Sequence, residues 1–144
     1  MAALAVSAVR QRIVAALAGL TGWRESTLAP DTFPGDTPRQ TQHLHFAVAV
    51  PETPTLPERQ KVTLGAPVQT AVEVRFLHKI RTDAPNTDYD DFLDAEQAAL
   101  VAVAGIARTD LTLGFEGAGR ESLADGTLAL SILRFTVQHR LALQ

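Results

Sequence analysis

The chain contains no cysteine, so neither disulfides nor thiolate zinc sites hold it together, and a cytosolic origin fits. Aromatic residues are scarce at 6%, with a single tryptophan and a single tyrosine. Alanine is abundant instead, which implies a thin and closely packed core. Neither sign of charge dominates. The 13 basic and 16 acidic residues leave a formal net charge of -3, without the basic excess of a general nucleic-acid binder. No run approaches the roughly 20 apolar residues that cross a bilayer. The N-terminal stretch MAALAVSAVRQRIVAALAGL is interrupted by Arg10, Gln11 and Arg12. A signal peptide needs its apolar stretch unbroken, so a soluble protein is expected.

What is present suffices for a core. With 144 residues and 46% hydrophobic content, one domain spanning residues 1–144 is expected. Val6, Val9, Ile13, Ala16, Leu17 and Leu20 recur at spacings of three and four, the mark of an amphipathic helix. Gly19 and Gly22 are expected to end it in left-handed conformations. Residues 23–40, with Pro30, Pro34, Gly35 and Pro38, read as a connecting loop. Trp23 is expected to anchor the helix end in the core.

Leu44, Phe46, Val48 and Val50 alternate as one face of a strand, and Val68, Thr70, Val72, Val74 and Phe76 as another. Between them Pro51, Pro54 and Pro57 forbid regular pairing and predict a projecting loop over residues 51–59. A second helix opens near Asn86, with Thr87 and Asp90 resembling a capping box. Tyr89, Phe92, Leu93, Ala99, Leu100, Val103 and Ile106 form its apolar face. Leu111, Leu113 and Phe115 mark a third strand, followed by a glycine-rich hairpin loop, GAGRE, at residues 117–121.

The last stretch, residues 127–143, alternates through Leu128, Leu130 and Ile132, then changes phase and continues through Leu133, Phe135, Val137, Leu141 and Leu143. Either a bulge or a switch of packing partner would produce that change. The expected fold class is α+β, in the order α-β-β-α-β-β. Its four-stranded sheet is antiparallel or mixed, with both helices on one face.

Constellations with chemistry are weak. His43 and His45 flank Leu44 and would share a strand side, yet no spacing matches a metal-ligand pattern. Asp83, Asp88, Asp90, Asp91 and Asp94 lack the alternation, central glycine and terminal glutamate of a calcium loop, so capping and solvation explain them better. Ser122, Ser131 and Thr136 have no nucleophile-elbow context. We therefore expect no catalytic residues, no cofactor, no metal and no enzymatic activity.

With the element order in place, the chain resembles the tail terminator proteins of long-tailed bacteriophages and related tail-like particles. The resemblance covers most of the chain. It rests on VSAVRQRIVAAL, on the strand pair around an irregular loop, on DYDDFLDAEQAALVAV, and on the closing strand LALSILRFTVQHR. It implies a non-enzymatic virion protein, at the tail end or neck and in the host cytoplasm during assembly. Such a protein caps the tail tube, stops its polymerisation and offers a joining surface to the head connector. The resemblance implies a ring of identical copies, hexameric in the family's manner, through which DNA passes without specific binding. The implied partners are itself, the major tail tube protein and the connector. Arg59 and Lys61 beyond the proline loop, with Arg120, Arg134 and Arg140, are the expected interface residues. Two other readings stand beside it: another neck or tail-completion protein, and a small dimeric α+β module holding a ligand between sheet and helices.

Overall fold

The computed structural model describes residues 3–54 and 67–142. Its elements are β1 (Ala3–Leu4), α1 (Val6–Ala18), β2 (Arg24–Glu25), β3 (His45–Glu52), β4 (Pro67–Lys79), α2 (Pro85–Ala104), β5 (Leu111–Leu123) and β6 (Leu128–Leu141). The class is α+β, as expected. The strand count and element order are corrected. The mixed sheet has six strands, because two-residue strands join it in parallel: β1 on β6, and β2 on β3. β6 is the spine, antiparallel to β4 on one side and to β5 on the other. Beyond His139, opposite which β5 begins, β1 continues the same lane by pairing with Arg140 and Leu141.

One sheet face carries Val48, Val72, Val74, Phe76, Leu133, Phe135 and Val137, and both helices pack upon it through Val9, Ile13, Leu17, Phe92, Ala99 and Val103. Leu17 is fully buried, whereas Leu100 is half-buried. Trp23 packs tilted against Phe76 and Phe46, with ring centroids at 4.7 Å and 6.2 Å, and so is anchored, half-buried, against the core. β1 is held by buried polar contacts. His139 Nδ1 lies 3.0 Å from the Leu4 carbonyl, which accepts its proton, and Nε2 accepts from the Thr70 hydroxyl at 2.7 Å.

The opposite face holds a smaller cluster in which Phe33 covers Ala47, Leu77 and Leu130, with Ile132 against it. Thus part of the expected loop 23–40 is a lid on the sheet. The phase change at Ile132 and Leu133 is a switch of packing partner, since β6 keeps unbroken register with β4 across it. The bulge of this hairpin lies in β5 instead, between Phe115 and Gly117.

Three expectations on local structure are corrected. Gly19 ends α1 with a right-handed φ of -74°, its N–H still bonded to Ala15, and only Gly22 turns left-handed at φ 83°. α2 starts at Pro85 without a side-chain cap, because proline has no N–H to satisfy there, so the Thr87 and Asp90 box is not formed. GAGRE is not a loop but the middle of β5; the hairpin turns at residues 124–126, where Ala124, Asp125 and Gly126 all have positive φ.

Candidate assembly surface

β5 is an outermost strand thirteen residues long, and among the described residues it pairs along its length with β6 alone. Between Gly114 and Ser122 every side is exposed or half-exposed. Phe115 stacks on Phe135 at 5.5 Å yet remains 47% exposed. Tyr89 and Val101 on α2 are 43% and 65% exposed. Three of the four exposed large hydrophobics among the described residues therefore sit on α2 and β5 (the fourth is Leu28).

Two cavities lie between these elements. One, of about 340 Å³, is walled by Ile80, Pro85, Tyr89, Ser122 and Leu128; the other, of about 460 Å³, by Leu93, Gln97, Leu100, Phe115 and Ala118. Arg120 borders both. Its guanidinium reaches Glu96 of α2, with Nε at 3.0 Å from Oε2, and the same oxygen accepts from Ser131 at 2.7 Å. Glu96 is buried because it occupies the stripe Phe92, Glu96, Ala99, Val103 of α2. That spacing was the available signal for it, a carboxylate inside an apolar helix face. A larger groove, about 550 Å³, opens between the C-terminal ends of the helices beside Arg12, Ala16, Ala102 and Ile106. Its cations are committed elsewhere: Arg12 to Asp110, and Arg108 to the carbonyls of Gly105 and Ala107.

At the other end of α2, the Asp88 carboxylate accepts from the Arg81 backbone at 2.7 Å and from its guanidinium at 2.9 Å. These bonds, the side-chain ones first, pull its pKa from 3.8 to about 2. Asp88 is therefore an ion-pair partner rather than a solvated cap; the acids at Asp90, Asp91 and Asp94 are exposed. A depressed folded-state pKa contributes stability that is complete above the ordinary value and lost as pH falls through the folded one. Between about pH 4 and about pH 2, the melting temperature of the wild type should fall more steeply than that of Asp88→Asn. Parallel curves in that window would show that the pair contributes nothing.

The expected interface residues are dispersed. Arg59 and Lys61 lie outside the described residues. Arg120 stands on the helix-side face of the sheet, opposite Ser131, whereas Arg134 and Arg140 are exposed on β6 at even-numbered positions, which face the other way. The two histidines do not share a strand side. Leu44, at φ 57°, breaks the extended backbone, and His43 packs edge-on to His78 at 4.5 Å while accepting the Lys79 N–H. Desolvation, then His78 and Lys79, hold His43 below its ordinary pKa. Among the described residues no group of three or more His, Cys, Asp or Glu is placed to hold a metal ion, and no helix is long and apolar enough to cross a membrane.

No protein-family model matches the chain, and no characterised protein matches it in sequence.

Proposed function

We propose that the chain is a structural assembly protein of the tail-terminator kind. It caps the end of a tail tube, stops its polymerisation and presents a joining surface to the head connector as a ring of copies. Its place is the tail end or neck of the virion, reached from the host cytoplasm. One observation carries the proposal: the α2–β5 flank combines, among the described residues, an open strand edge with the exposed side chains of Tyr89 and Phe115. Exposed apolar groups beside unpaired backbone mark surfaces that meet other protein. A cap has to meet several proteins at once and needs no reactive group. The small net charge of -3 also suits a ring through which DNA slides without sticking.

The test is capping. Purified protein is mixed with tubes assembled from the major tail tube protein, and tube ends and lengths are recorded by negative-stain microscopy. Ring-shaped density at one end and an arrest of growth are expected. Tubes that keep growing with bare ends would overturn the proposal.

A further inference from the structure

From the edges of the sheet we infer that two copies of the free protein pair through β5, antiparallel and about a two-fold axis at Gly119. The inference goes beyond the terminator proposal and does not depend on it. A strand edge presents a row of N–H and C=O groups that seek another strand. Proline and lysine commonly blunt such edges, and β5 (LTLGFEGAGRESL) has neither. Its one interruption is the bulge at Glu116, which leaves residues 117–123 in regular register with β6.

Among the described residues the other edge of the sheet is short and largely covered, its outermost strand β2 being two residues long. β2 covers the start of β3, with the Arg24 and Ser26 N–H groups bonded to the Leu44 and Phe46 carbonyls. Arg10 Nε then takes the Val48 carbonyl at 2.8 Å, and Pro51 has no N–H to offer. Among the described residues this leaves one long open edge per copy, so head-to-tail pairing lacks a complementary edge of similar length. Pairing like with like consumes both open edges at once, as a two-fold contact does.

Charge selects the register, because like charges directly opposed across strands are destabilising. A centre at position 120 opposes arginine to arginine, and one at 121 opposes glutamate to glutamate. A centre at 118 sets Arg120 against Glu116 on the wrong face, since Glu116 bonds Thr136, on the face opposite that of Ser131 and Arg120. A centre at Gly119 places Arg120 opposite Ala118 and Glu121 opposite Gly117, with no like charges directly opposed.

Native mass spectrometry across a concentration series should show 15.5 kDa monomers giving way to dimers. Amide exchange over residues 117–121 should slow with the same midpoint. Because the chain lacks cysteine, Gly119→Cys introduces a single thiol. A Cβ there meets only the Arg134 guanidinium at 3.5 Å, so the variant is expected to fold. Directly opposed Cα atoms lie about 4.5–5.5 Å apart, within disulfide reach. Under mild oxidation this variant should crosslink about tenfold faster than Thr112→Cys on the same strand, as expected for a raised effective concentration. Monomers at every concentration, exchange that ignores concentration, or equal crosslinking by the two variants would overturn the inference. A monomer that still caps tubes would sink the dimer alone, and a dimer that leaves tubes uncapped would sink the terminator proposal alone.

Discussion

Phe92→Ala should destabilise the protein by about 3–5 kcal/mol, the range for a fully buried phenylalanine truncated where neighbours cannot close in. Phe92 has no accessible surface and joins α2 to the sheet. Its ring lies 5.6 Å from Phe76, 5.8 Å from Tyr89 and 6.1 Å from His78. These partners are fixed to β4 and to the first turns of α2, so the space left by the ring stays open. Urea unfolding is followed conveniently through Trp23, the only tryptophan, which stacks on the same Phe76. Tyr89→Ala, one turn away but 43% exposed, should change stability by less than about 1 kcal/mol. If Phe92→Ala also stays within about 1 kcal/mol of wild type, α2 is not packed on the sheet as described.

How much of this was legible in the sequence depended on whether burial left a period. α1, β3, β4 and α2 each bury one side, and their apolar spacings announced them. β5 was missed over residues 117–121 because an edge strand exposed on both faces has no apolar alternation, and its glycines imitate a loop. β1 and β2 are two residues long and cannot express any period. The double phase of β6 was visible, but its cause was not. Only the structure shows Phe33 arriving from a distant loop to cover Leu130 on the far side. For the candidate surface, Arg120 was singled out as an interface residue; the structure adds that it pairs with a carboxylate of its own chain, on a helix 24 residues away in sequence. The helix period of α2 held a signal for a buried Glu96 that the apolar-face reading passed over, and nothing in the sequence pairs that carboxylate with Arg120.

That pair gives the second large effect. The Glu96 side chain is only 10% accessible and shares its charge between Arg120 and the Ser131 hydroxyl. Arg120→Ala leaves the carboxylate buried with the hydroxyl as its remaining side-chain partner. Stranding a buried charge costs more than the pair contributed, up to about 3–5 kcal/mol in a fully closed site. Here the arginine side chain is 43% exposed, so water enters as it leaves, and about 2–3 kcal/mol is expected. Adding Glu96→Gln to that variant removes the charge and keeps an acceptor for Ser131. The double variant should therefore be more stable than Arg120→Ala alone, although it lacks one more native group. This inversion separates a stranded charge from simple loss of arginine packing, which a second substitution could not repair. Both variants are read by the same urea titration. If Glu96→Gln deepens the loss instead of relieving it, the guanidinium acts through its packed stem, and the wall between the two cavities is held by contact rather than by charge.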